Sequence, residues 1–403
     1  MSNRHIGLPR RIALMVAPLP GESLYSWLDT VAADYGVTRS RAALITALAD
    51  ERPGAELSPA RRSSPVFGAS EERLARFTAA TGLDSERFLD MTWQRFVGTT
   101  VPDPAQVLPD QPPPRLFLRE FLHQHFIDPA QVRICPSCLA EDGGRWPLLW
   151  SVPWLFVCPR HRCYLVDRCP GCGKILGSAG VRRLCGRRRR ASDSPCRVEL
   201  AAIAAPGAAD EQLIGVQQHV LDLLDTPTSD QQARDELGDL WAMTTMALFL
   251  ATPEHLSEAD PAVRDGYDRY GRVFLARRGD AELHHPGGQR FQDPFAFAAA
   301  IRLAAQIVGA DHPFEAADAL FGLTRQPAGR DVLTLGRSWR SLPLSVATHR
   351  LTRTRDIVDA VNAHQPHPQR WISRGRGRRF AIPRGDEAEQ GPAGVPVSGG
   401  GER

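Results

Sequence analysis

The stretch "CPRHRCYLVDRCPGC", residues 158–172, places four cysteines and a histidine within fifteen positions. Working outward from it, all eight cysteines of the chain fall between Cys135 and Cys196. Upstream, Cys135 and Cys138 form "CPSC". Nineteen residues separate Cys138 from Cys158, which with His161 forms "CPRH". The series C-x2-C-x19-C-x2-H is a zinc pattern of three cysteines and one histidine. A Cys-x-x-Cys turn sets two thiolates on one edge of a tetrahedron, and a second such unit closes it. Cys169 and Cys172 form a second pair, "CPGCG", whose expected partners are Cys185 and Cys196. Two zinc ions, each with four protein ligands and no open position, would be structural and would contribute directly to folding. His161 argues against an iron–sulfur cluster, and no βαβ context supports a redox Cys-x-x-Cys. Cys163 stays open: it is either a buried apolar residue or a substitute for Cys185 or Cys196. His123 and His125, in "HQHF", lie just upstream.

Trp146, Trp150 and Trp154 sit between the first ligand pairs. They are read as the small core a zinc module needs, ahead of a stacking platform for bases. From residue 133 to 199 there are thirteen basic residues and five carboxylates, a local net charge of +8 in a chain of +3. Arg182, Arg183, Arg187, Arg188, Arg189 and Arg190 make its densest part, before and between the last two ligands. A charged loop held by metal suits contact with a phosphate backbone, which confers affinity without sequence choice.

The chain is 403 residues long and 42% hydrophobic, too long for a single core, so two or three domains are expected. No membrane span or signal peptide is expected, and clustered cysteines point to a reducing, cytoplasmic setting. In "PGESLYSWLDTVAADYGVTRSRAALITALAD", residues 20–50, Leu24, Trp27, Leu28, Val31, Ala32 and Tyr35 share one helical face. Gly36 should end that helix, and Thr38 should cap a second running through Ala49. The order is that of a helix-turn-helix, with Thr38, Arg39 and Arg41 as candidate nucleic-acid contacts. A similar unit occupies residues 70–93, turning at Gly82 with Asp84 as N-cap.

The prolines of "VPDPAQVLPDQPPP", residues 101–114, forbid regular structure. Beyond the cysteines, helices are expected over 210–224, 229–251, 293–309 and 343–363, with Asp293-Pro294 opening the third. The expected architecture is mainly α. A helical domain with the helix-turn-helix spans 1–131, and a zinc-ribbon or knuckle-like module spans 132–200. A C-terminal all-α bundle covers 205–384, and 385–403 is a disordered tail.

Two motifs together, "PGESLYSWL" and the series "CPSCLAEDGGRW", "CPRHRCYL" and "RCPGCG", resemble the TniQ family over about residues 18–200. The chain departs from the family in one respect: its last two cysteines are split by the arginine-rich stretch instead of forming a tight pair. The resemblance implies a non-enzymatic accessory of DNA transposition that helps select a target site. The partners it implies are DNA, an AAA+ ATPase, a DDE transposase and, in some relatives, an RNA-guided CRISPR effector complex. A homodimer is compatible with a helical adaptor. The sequence itself offers no P-loop and no HExxH motif. A zinc-stabilised protein scaffold that never touches DNA is the competing reading, and a zinc enzyme is a third.

Overall fold

A computed structural model of the chain describes residues 11–13, 16–49, 69–96, 131–152, 154–177, 184–185, 196–226, 231–251, 253–256, 259–276, 293–323 and 356–357. The expected segment 101–114, nearly all of the expected helix 343–363 and the tail lie outside them. The described residues are mainly helical, with one short hairpin. None of the described helices is long and apolar enough to cross a membrane.

Helix α1, Leu24–Asp34, starts where Ser23 accepts from the Ser26 N–H, and α2, Arg39–Ile45, starts where Thr38 accepts from the Arg41 N–H. Such caps satisfy N–H groups that a helix start leaves without partners. Gly36 between them adopts φ +61°, as its place after a helix requires. The second helix ends at Ile45, short of the expected Ala49. Ala47 takes φ 59°, and Leu48 turns back to bond the Ala43 carbonyl. Helices α3, Glu71–Thr81, and α4, Ser85–Asp90, meet at Gly82, a left-handed C-cap at φ 75°, with Asp84 capping α4. Their apolar faces close one core around Trp27, Leu28, Leu48, Phe77 and Phe88. Phe77 sits 5.7 Å from Trp27 and 5.0 Å from Phe88, ring to ring.

The cysteine region is held by turns and single bridges more than by regular elements. It comprises the short helix α5, Pro136–Glu141, and a hairpin of β1, Val157–Cys158, and β2, Cys163–Tyr164. Helices α6, Glu211–Asp225, α7, Gln231–Leu250, α8, Pro261–Ala276, α9, Pro294–Val308, and α10, Pro313–Gly322, follow. Helix α9 is central, with Ala296 to Ile301 all buried, and α7, α8, α10 and α6 pack on it. Its alanines permit that close approach. Asp293 caps α9 with Pro294 in its first turn, as the sequence predicts.

The core does not stop between the cysteine region and the helices. Phe297 of α9 lies 5.9 Å from Trp154 and 5.6 Å from Phe156, and Phe295 lies 4.7 Å from Tyr164, so one apolar cluster runs through both. Gln217 of α6, fully buried, seals the joint. Its Oε1 accepts from Phe156 N at 2.9 Å and Val157 N at 3.2 Å, and its Nε2 donates to the Trp154 carbonyl at 3.2 Å. All three tryptophans of the cysteine region are buried, 3% exposed or less, which makes them core and removes the stacking platform.

Candidate metal centres

The first ligand pair is set by a helix start. Cys135 is the extended N-cap of α5, Pro136 fixes the first turn, and Cys138 lies one turn on, on the same side. The second pair comes from the hairpin, whose turn places Arg162 at φ 53° and bonds Arg162 N to the Cys158 carbonyl at 2.7 Å. The ligand atoms of Cys135, Cys138, Cys158 and His161 all lie within 4.8 Å of one another.

The edges of that set decide what it fits. Cys138 Sγ is 3.6 Å from Cys158 Sγ, and His161 Nδ1 stands 3.5, 3.1 and 3.6 Å from the sulfurs of Cys135, Cys138 and Cys158. A tetrahedral zinc with Zn–S near 2.3 Å has sulfur–sulfur edges of about 3.8 Å and slightly shorter sulfur–nitrogen edges. A disulfide needs its sulfurs about 2 Å apart, and all eight cysteines are free thiols.

Beyond the ligands, His161 Nε2 donates to Glu141 Oε1 at 3.0 Å, and Arg160 pairs with the same carboxylate at 2.6 Å. That carboxylate raises the imidazole pKa, and the imidazole in turn holds the Glu141 carboxyl below its ordinary range. A carboxylate behind a ligating histidine fixes the tautomer that leaves the opposite nitrogen free for a metal. His161 N also points at Cys158 Sγ, 3.4 Å away, a backbone dipole suited to thiolate charge. The thiols of Cys138, then Cys158 and Cys163, directed at Cys135 Sγ hold its pKa below the ordinary thiol value.

The second set comprises Cys169, Cys172, Cys185 and Cys196, again within 4.8 Å. Cys169 and Cys196 stand 3.7 Å apart, and Cys172 and Cys185 3.8 Å, which are two opposite edges of a tetrahedron of zinc size. The "CPGCG" turn is built by Gly173, at φ +67°, whose N–H bonds the Cys169 carbonyl at 2.8 Å. The widely split pair is brought in by backbone pairing. Cys185 N donates to Val198 O at 2.9 Å, and Leu184 bridges Glu199. Gly171 lets the Val198 segment approach, since a Cβ there would meet Val198 Cγ2 at 2.4 Å. Asp167, which falls between the two sets in sequence, is pushed up to about 6 by burial and by the like charge of Asp293.

The eight candidate ligands are thus gathered into two sets of four. Cys163 belongs to neither four, and it lies against the first set instead of the second: its Sγ is 3.8 Å from Cys135 Sγ.

The candidate nucleic-acid residues fare differently. Thr38 and Arg41 are exposed at the start of α2. Arg39 is 8% exposed, donates Nε–H to Asp29 Oδ1 at 2.7 Å and lies 5.1 Å from the Tyr25 ring centroid, so its guanidinium ties α2 to α1. Arg182, Arg183 and Arg187 to Arg190 lie outside the described residues, as do His123 and His125.

Sequence reasoning gave no role to the contact between the two motifs. Glu22 of "PGESLYSWL" is 1% exposed, and its carboxylate pairs with Arg145 of "GGRW", with Arg145 Nε donating to Oε1 at 2.9 Å. Around them Leu148 N bonds the Gly21 carbonyl, Ser23 N bonds the Trp146 carbonyl, and Trp146 N bonds Ser26 Oγ. The N-terminal helices and the first ligand set are joined by this seam.

Fold and site together define a mainly helical protein with two clusters of four soft ligands, each of a size to hold a metal ion. Residues 13–165 match the TniQ family model. The match takes in α1 to α4, the seam and the whole first ligand set, and stops before the second set and the C-terminal helices. No curated protein matches the chain.

Proposed function

We propose that the protein is a non-catalytic transposition accessory that helps select the target site, by binding DNA, a targeting complex or both, and recruits an AAA+ ATPase and a DDE transposase. The observation that carries this reading is the TniQ match over residues 13–165, whose two motifs interlock through Glu22 and Arg145. Both ligand sets are zinc clasps with a structural role. Four protein ligands at each leave no vacancy for a reacting water, which speaks against a zinc enzyme.

DNA contact is assigned to the arginines between Cys185 and Cys196, with Thr38 and Arg41 as a second patch. Cys185 and Cys196, which flank Arg187 to Arg190 in sequence, fall in one ligand set. A targeting complex of the RNA-guided kind is a further partner this adaptor could serve, and it acts in the cytoplasm.

The test measures duplex DNA binding by fluorescence anisotropy across a salt series. Wild type should bind with a steep salt dependence. Replacing Arg187 to Arg190 by alanine should weaken binding and flatten the slope of log K on log salt by up to about 3.6, roughly 0.9 per lost phosphate contact. A wild type that ignores DNA at low salt yet captures an AAA+ transposition ATPase overturns the DNA arm and leaves the protein scaffold.

A further inference from the structure

The first clasp is surrounded by five soft donors for four coordination positions. Cys163 is the fifth. It is the partner of Cys158 in the β1–β2 register. Directly opposed residues of an antiparallel pair project to the same face, with Cβ atoms about 5 Å apart. Cys158 projects to the ligand set, so Cys163 does too. Its Sγ then reaches Cys135 Sγ at 3.8 Å, the length of a sulfur–sulfur edge in a tetrahedral site, and its side chain is 5% exposed.

His161 is the ligand whose loss this arrangement can repair. It is the one nitrogen donor of the four, its side chain is 20% exposed while the three sulfurs are buried, and its outer nitrogen faces the surface carboxylate Glu141. It also sits two residues before Cys163, on the same tight turn. The exchange requires rotation about the Cα–Cβ bond of Cys163, whose side chain is unbranched, to carry its sulfur to the position the imidazole vacates.

We infer that Cys163 is a reserve ligand of the first metal centre, able to replace His161 and convert a site of three cysteines and one histidine into an all-cysteine site. The exchange forms one metal–sulfur bond and breaks one metal–nitrogen bond. The Cys163 proton leaves to solvent or to the released imidazole. The ion gains a thiolate and stays four-coordinate, with no oxidant or reductant required. Zinc tolerates both donor sets in the same tetrahedral geometry.

The inference rests on the first set holding zinc, and wild type serves as the control for that. Zinc per folded chain is measured by elemental analysis after gel filtration, alongside circular dichroism. Wild type and Cys163→Ser should each carry two ions. His161→Ala should still carry two and stay folded, and the His161→Ala, Cys163→Ser double variant should fall to one or fail to fold. The role of Cys163 is overturned if His161→Ala already falls to one ion or fails to fold, or if the double variant keeps two. Release of zinc to a competing chelator gives an independent reading without touching His161: the first-site phase should quicken several-fold in Cys163→Ser, and an unchanged rate contradicts the inference. If wild type itself holds fewer than two ions, it is the metal reading that fails.

Discussion

The buried carboxylate of Glu22 and the guanidinium of Arg145 form an ion pair across 123 residues of sequence, and both make further hydrogen bonds. Glu22 accepts from Leu19 N at 3.0 Å and from Ser26 Oγ at 2.7 Å, while Arg145 donates to the Ala17 carbonyl at 2.8 Å. The pair joins two distant sequence motifs: each supplies one charge that the other neutralises.

Removing one partner should therefore cost more than a surface ion pair would. Arg145→Met leaves the Glu22 carboxylate buried without its cation, a change that typically destabilises by about 3–5 kcal/mol. Glu22→Gln keeps the shape and leaves Arg145 partly exposed, at 16%, so its cost should be smaller. Urea denaturation of both variants checks the order, and equal, negligible losses would show that the seam is not a real junction.

Gln217 is the second joint. Gln217→Leu preserves the volume but strips hydrogen bonds from Phe156 N, Val157 N and the Trp154 carbonyl. Buried backbone groups left without partners cost about 1–3 kcal/mol each. The variant should lose several kcal/mol, and its unfolding should separate into two transitions if the helices and the cysteine region come apart there. Thermal unfolding followed at two wavelengths reads both effects.

Glu141→Gln addresses the outer face of the first clasp. It removes the carboxylate that orients His161 and leaves every ligand in place. Loss of such a partner typically weakens metal affinity by about 10- to 100-fold. Because Glu141 is 45% exposed, the lower end of that range is expected in a zinc competition titration, with the second site unaffected.

Gly171→Ala probes the second clasp in the same way. The added methyl carbon would overlap Val198 Cγ2, on the segment that carries Cys196 and accepts the Cys185 N–H bond. Overpacking of this kind costs about 1–3 kcal/mol. The second ion should be the one lost first on titration with a chelator, while the first clasp holds.

The two ligand sets are legible because ligand spacing is a local property that one turn or one hairpin fixes. Even the split pair, Cys185 and Cys196, shares one cluster with Cys169 and Cys172, although the pairing of Leu184 with Glu199 that brings it together is not written in any short motif. The caps at Thr38, Gly36, Gly82 and Asp293 are legible for the same local reason. Arg39 is not: its sequence neighbourhood is that of a surface helix start, and only Asp29 and Tyr25 on the preceding helix draw it inside. Helices α8 and α10 are not legible in the same way. Gly266 and Gly271 lower the helix propensity of α8, yet Asp260-Pro261 repeats the Asp293-Pro294 signal, and Asp260 Oδ1 accepts from Ala262 N at 2.7 Å. The core shared by Trp154 and Phe297 is a long-range contact, and no periodicity encodes it.

The most direct measurement is zinc content of the purified chain followed by stripping with a strong chelator under reducing conditions, with the fold monitored by circular dichroism. Two ions per chain, and collapse of the cooperative unfolding transition as they leave, is the predicted result. A chain that binds no metal, or that melts with the same cooperative transition after both ions are gone, would contradict it.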